Sequence, residues 1–128
     1  MKSFVGKLII IGAFFLMISA CSPTQVINKL THQQAIEAMS QDDSIVLVDV
    51  RTVAEYNSGY VAGAINIPID DIASTFESQI SDKDTRLFII CRSGNRSAIA
   101  SEQLKKMGYT NITDIGGIIN WPQPLVQP

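Results

Sequence analysis

The sequence predicts an α/β fold, a central parallel sheet flanked by helices on both faces. Three observations predict it. A chain of 128 residues allows one domain and leaves little room for a second. A hydrophobic content of 46% against 17% charged residues supports a packed core and excludes a compositionally disordered chain. Beyond the first turns of the chain, short β-branched apolar runs alternate with capped amphipathic stretches across tight turns, which is how parallel strands and their crossover helices read.

The first element is not part of that alternation. Leu8–Ala20, LIIIGAFFLMISA, is a run of thirteen uncharged residues behind a segment carrying Lys2 and Lys7. This is signal-peptide anatomy, and it falls short of the roughly 20 residues that a spanning helix needs. Residues 1–20 are therefore read as a signal peptide, residues 21–28 as a new N-terminus and polar tether, and residues 29–128 as the folded domain.

Within the domain, Thr31 opens a helix running to about Ser40, with Thr31 and Gln34 spaced as a capping box and Leu30 placed to staple against Ala35. Ser44–Val50, SIVLVDV, reads as a buried strand. Thr52 and Glu55 form a second capping box, opening a short helix that Gly59 closes. Ala64–Ile67 is a strand stopped by Pro68. Asp70–Ile80 places Ile72, Phe76 and Ile80 on one helical face, with Asp70 as its cap. Arg86–Cys91, RLFIIC, is the next buried strand. Ser97–Met107 is the clearest helix: Ala100, Leu104 and Met107 share a face, Glu102 and Lys106 pair at i+4, and Gly108 follows. Asn111–Ile115 is the last strand.

In sheets of this kind the site lies at the carboxyl ends of the strands, and Cys91 occupies such an end. The short polar loop Arg92–Arg96 leads from it directly into a helix. A thiol there faces the helix N-terminus, whose free N–H groups and partial positive charge favour thiolate over thiol. Gly94 permits the curl that turns successive amides inward as an anion nest, and Arg92 and Arg96 add positive charge. Asp49 and Arg51 read as structural, with Arg51 able to pair with Glu55 or Asp49 and brace the loops. His32, the single histidine, lies far from Cys91 in the chain and reads as a surface residue rather than half of a Cys–His dyad.

Four motifs in order carry a resemblance. Asp49-Val50-Arg51 followed by Glu55-Tyr56 resembles the DVR and E-[FY] segment of the rhodaneses. Gly59–Pro68, GYVAGAINIP, resembles their GH-I-x-GA-x-NIP segment, Cys91–Ser97 their active loop, and Gly116-Gly117 with Trp121 their GG-x-x-x-W ending. Two departures are Tyr60, where the family usually has histidine, and the proline-rich tail PQPLVQP after Trp121. The chain thus resembles a single-domain rhodanese, a sulfurtransferase carrying sulfane sulfur as a cysteine persulfide.

That resemblance implies a two-step displacement. Cys91 attacks the outer sulfur of thiosulfate or a similar donor, expels sulfite, and passes the sulfur to cyanide, a small thiol or a protein thiol. The segment Arg92, Ser93, Gly94, Asn95, Arg96 and Ser97 would bind the substrate: its amides hold the persulfide, Arg92 and Arg96 attract the sulfonate end, and the Ser93 and Ser97 hydroxyls add hydrogen bonds. Asp49, Arg51 and Glu55 support the loop. Neither metal nor organic cofactor is required. A second reading is a non-catalytic sulfane-sulfur carrier or sensing module for a partner. A third, phosphatase or arsenate reductase, fits less well, because those enzymes present C-x5-R whereas Cys91 to Arg96 is C-x4-R, a smaller nest suited to one sulfur.

Location follows from a further resemblance. Ile18-Ser19-Ala20-Cys21 resembles a bacterial lipobox, which implies acylation of Cys21 and a membrane-anchored, exported lipoprotein. Ser22 after the cysteine favours the outer membrane, facing the periplasm, in a cell with two membranes, and the cell surface otherwise. Cys91 is then the remaining thiol of an exported domain, so no disulfide forms within one chain. Loss of residues 1–20 removes Lys2 and Lys7 and moves the net charge from -2 to -4, which excludes nucleic acid as an expected partner.

Overall fold

A strand buried on both faces has no polar alternation to show, and Leu87–Cys91 (β4) is such a strand. Its five residues are all buried, with Leu87, Ile89 and Cys91 entering one core and Phe88 and Ile90 the other. The computed structural model describes residues 26–128 together with Gly12. Apart from Gly12, the stretch read as a signal peptide, with the tetrad that resembles a lipobox and Cys21, lies outside the described residues.

The remaining strands are Asn28–Lys29 (β1), Val46–Asp49 (β2), Ile65–Asn66 (β3) and Ile112–Gly117 (β5). They form one sheet in the order β1-β5-β4-β2-β3, and every pair is parallel. Helices α1 (His32–Gln41), α2 (Val53–Asn57), α3 (Glu77–Gln79) and α4 (Asn95–Lys106) connect them. Ala100 and Leu104 of α4, with Ile72, Phe76 and Ile80, cover one face; Ala35 of α1 and Tyr56 of α2 pack on the other. The expected sheet and its helical cover are therefore present, and both capping boxes, Thr31 with Gln34 and Thr52 with Glu55, are formed in full.

Four elements differ from expectation. Asn28, assigned to the tether, belongs to β1, which pairs with β5 in the register Asn28↔Thr113. Two residues carry no period-2 signal, so the strand exists because β5 offers it an edge. The stretch read as one helix from Asp70 is a 3-10 turn (Ile69–Asp71), a π turn (Ile72–Phe76) and α3, and Asp70 makes no cap bond. Ser74 and Thr75 donate side-chain hydrogen bonds to the Asp71 carbonyl, drawing it off the helical ladder, while Ile72, Phe76 and Ile80 still bury one face. Helix α4 starts at Asn95 rather than Ser97, and β5 runs two residues past Ile115 through Gly116-Gly117. No helix among the described residues is long and apolar enough to cross a membrane.

The carboxyl end of β2 holds a buried ion pair. Arg51 Nε donates to both Asp49 oxygens at 3.0 and 2.9 Å, and Nη2 donates to Oδ2 at 2.7 Å. The same guanidinium donates to the carbonyls of Glu55 (3.1 Å) and Gly59 (2.8 Å), tying α2 and the turn after it to the sheet. Asn66 closes the corner by donating from Nδ2 to the carbonyls of Asp49 and Arg51, both at 2.9 Å. Removing one partner of a buried pair strands the other charge, so Asp49→Ala should lower unfolding stability by about 3–5 kcal/mol in urea denaturation. A loss below about 1 kcal/mol would show that water reaches Arg51 and that the pair is not the brace described.

Candidate active site

Cys91 is the last residue of β4 and is wholly buried. The register between β4 and β5 shifts at this point, so that Cys91 stands opposite Gly117. The chain then turns through Arg92, Ser93 and Gly94 into α4. Gly94 has φ +104°, a left-handed conformation that costs a side-chain-bearing residue energy, and it caps the helix without a side-chain bond. Its N–H points back at the thiol and lies 3.0 Å from Cys91 Sγ. Among the described residues it is the amide hydrogen-bonded to that sulfur, at the start of α4.

The loop is seated on β5 by backbone contact. The amides of Ile118 and Ile119 donate to the carbonyls of Cys91 (2.9 Å) and Arg92 (3.3 Å). A Cβ on Gly117 would lie 2.1 Å from the Arg92 oxygen and 2.6 Å from Ser93 Cα, which real side chains do not do. The second glycine of the GG ending is therefore what lets the loop lie against the sheet. Sequence reading noted the pair only as part of a motif.

The charged groups are arranged differently from expectation. Arg96, expected as a free cation, grips Glu55 with both terminal nitrogens, at 2.7 and 2.9 Å. Glu55 thus serves Arg96, while Arg51 takes Asp49 and only the backbone oxygen of Glu55. The Arg96 guanidinium holds the Glu55 carboxyl down at about 2, helped by the Thr52 bonds and opposed by burial. Arg92 is exposed and in no ion pair among the described residues. Ser97 is buried in the first turn of α4 and gives its hydroxyl proton to the Gly94 carbonyl at 3.0 Å, so it neither caps the helix nor keeps a free donor. Ser93 and Asn95 are exposed on the loop and the helix start.

Two cavities flank the loop. One, of about 620 Å³, is lined by Ser93, Gly94 and Asn95 on one side and by Lys29, His32 and Asp114 on another. His32 is thus brought to the rim of the loop, where its Nδ1 lies 3.2 Å from the Asn120 carbonyl and its ring 5.1 Å from that of Trp121. Nothing in the sequence near His32 signals this, because the contact spans most of the chain. The other cavity, of about 450 Å³, lies beside Arg92, Arg51 and Glu55 and is walled by Ile118, Ile119 and Leu125. No cluster of potential metal ligands occurs among the described residues.

Residues 31–123, which hold this thiol, its loop and the following helix, match the family described as the Rhodanese-like domain. The chain belongs to that family. It is 34% identical over 80 residues to the thiosulfate sulfurtransferase PspE of Escherichia coli, covering 62% of this chain and 77% of that protein. It is 31% identical over 107 residues to a sulfurtransferase of Allochromatium vinosum, covering 80% of this chain and 98% of the other. The structure of a rhodanese-related protein from Thermoplasma volcanium superposes with a TM-score of 0.67 at 30% identity, covering 79% of this chain and 99% of that one. Together these support sulfur transfer as the general class of activity in this rhodanese-like chain.

The Glu55–Arg96 pair ties α2 to the first turn of α4, and its pH dependence has a definite sign. Glu55 is depressed from 4.5 to about 2 on folding, so its contribution is whole above pH 4.5 and fades as pH falls toward 2. Glu55→Gln should therefore cost about 1–2 kcal/mol at pH 7, with the gap to wild type closing across that acidic window. Chemical denaturation of both proteins at several pH values checks this, and a gap unchanged down to pH 2 would place the loss outside the carboxylate.

Proposed function

We propose that this rhodanese-like chain moves sulfane sulfur from thiosulfate or a similar donor to a thiophilic acceptor through a persulfide on Cys91. The observation that carries the proposal is the Gly94 N–H on Cys91 Sγ at the buried end of β4. In the first step the Cys91 thiolate attacks the outer sulfur of the donor. The sulfur–sulfur bond of thiosulfate breaks, sulfite leaves with the electron pair, and Cys91 carries the new persulfide anion. Inward backbone dipoles suit that anion because they are fixed before the charge arrives.

Because Sγ is buried, it is the outer persulfide sulfur, about 2 Å further out along the new bond, that an acceptor meets. Arg92, exposed and in no ion pair among the described residues, would attract the sulfonate end of the donor, while Arg96 would act mainly through Glu55 to hold the start of α4. The displacement needs no metal and no organic cofactor. A passive carrier would use the same persulfide without turning over. Intact mass of the full chain should show one sulfur gained after thiosulfate and lost again on adding cyanide, and Cys91→Ser should form no thiocyanate. Thiocyanate formation by that variant would sink the proposal; uptake without release would leave the carrier.

We also propose that the domain is held at a membrane. Residues 1–20 are proposed to be a lipoprotein signal peptide and Cys21 the acylated anchor, on the strength of the Ile18–Cys21 tetrad behind its apolar run. Metabolic labelling with a fatty acid should mark the wild type and not Cys21→Ser. Labelling of neither, with a soluble product, would return the segment to an ordinary signal peptide.

A further inference from the structure

Helix α4 buries Ser97, Ala100, Ser101 and Leu104 and turns its other side outward. Along that outer side lie two cavities, of about 440 and 400 Å³, which share Ala98 and Glu102 and so form one continuous face. Ile99, 61% exposed, lines the first, and Val26, 74% exposed, lines the second. Two branched apolar side chains held in water on one face carry a cost that a covering surface would remove.

Unpaired positive charge gathers on the same face. Arg51, Lys83, Arg86 and Arg96 are each in an ion pair. Of the basic residues in no ion pair among the described residues, Lys29, Lys105 and Lys106 line these two cavities, and Arg92 lies elsewhere. Glu102 is the exposed acid among them; Asp114 is nearly buried and accepts from the Gly116 N–H at 2.9 Å. The acidic balance of the whole chain does not govern such a face, because charge acts within about one Debye length.

What covers the face follows from the chain that enters it. Val26 stands five residues after Cys21, a stretch that spans at most about 18 Å. A domain of about 100 residues is roughly 30 Å across. With Cys21 in a bilayer, the side bearing Val26 has to face the membrane, since so short a tether does not let the domain roll over. We propose that this face of α4 and β1 docks on an anionic lipid surface, Lys29, Lys105 and Lys106 meeting the headgroups and Val26 and Ile99 the acyl boundary, a docking that rests on the acylation of Cys21 proposed above. Val26 and Lys29 precede the family match, which begins at residue 31. A small apolar area and a few charges suffice, because a tethered domain meets its surface at high effective concentration. Helix α4 is about 18 Å long, so docking keeps the Cys91 loop at its N-terminus within that distance of the headgroups.

The test uses the full chain, expressed in a bacterium and reconstituted into vesicles of phosphatidylglycerol and phosphatidylcholine with brominated tails. Trp121→Phe keeps an aromatic ring beside His32, and a single tryptophan is then placed on the docked face (Ile99→Trp) or across the sheet on α1 (Glu37→Trp). Both positions are exposed, so neither substitution disturbs the core. Bromine should quench the first tryptophan by about half or more, as for a side chain some 5–10 Å into the interface, and spare the second. Lys105→Gln and Lys106→Gln should each lower the ratio of docked to undocked protein on the order of fivefold, and Glu102→Gln should raise it. Equal quenching at the two positions, or quenching indifferent to these charges, overturns the docked face while fatty-acid labelling of Cys21 still stands. A wild-type chain that takes no fatty-acid label overturns the anchor, and the docked face with it.

Discussion

Burying the Asp49–Arg51 ion pair at the end of β2 sets a constraint on which the site's surroundings depend. Two charges taken out of water are tolerable only when their remaining hydrogen-bonding capacity is met. Arg51 meets it by collecting the backbone oxygens of Glu55 and Gly59. Those oxygens belong to the middle of α2 and to the turn after it, so the pair dictates where that short helix lies. Glu55 then stands where its carboxylate reaches Arg96 in the first turn of α4, across 41 residues of sequence. Gly59, held by the same guanidinium, is the floor on which Leu125 rests. A charge pair that touches no reacting atom thus places both the helix behind the thiol and one wall of the neighbouring cavity.

This arrangement alters how positive charge works at the loop. Three arginines lie around Cys91, yet Arg51 and Arg96 are each neutralised by a carboxylate. Each is held in place by its carboxylate, and the hydrogen bond that Cys91 Sγ receives comes from the Gly94 amide. Fixed dipoles would suit the alternation between thiolate and persulfide proposed for Cys91, because they need not rearrange when the charge moves outward by one atom. A free guanidinium at Arg96 could instead follow the charge and draw the loop with it. The bidentate hold by Glu55 removes that freedom.

Much of this was legible in the sequence, for reasons that can be named. Capping boxes are local, so Thr31 with Gln34 and Thr52 with Glu55 declare their helices directly. Wholly buried strands such as LFIIC declare themselves by unbroken hydrophobicity, and Cys91 was evident because it ends one of them. What could not be read was contact between distant segments. Arg51 had two acidic neighbours in sequence, and only the fold decides that Asp49 takes its side chain while Glu55 takes that of Arg96. His32 gave no sign of lying at the loop because its partner, Asn120, is 88 residues away. The broken helix over residues 69–79 was hidden because its apolar spacing is helical and the Ser and Thr side chains that disturb it bond to backbone.

The two glycines that end β5 show how far the loop's shape is decided outside the loop. Gly94 bends the chain, but many backbones could bend there. What selects this one is the close approach of Arg92 and Ser93 to Gly117, a distance no side chain would permit. With the Cys91 and Arg92 carbonyls bonded to the amides of Ile118 and Ile119, the loop is in effect an extension of the β4–β5 pairing. Its amides therefore inherit the rigidity of a sheet buried on both faces instead of the mobility usual in exposed turns. The register shift sets Cys91 opposite Gly117, the glycine that makes this contact, where an unshifted ladder would set it opposite Gly116. Pre-organisation here is thus a property of strand packing, and the polar loop residues act on a frame that the core has already positioned.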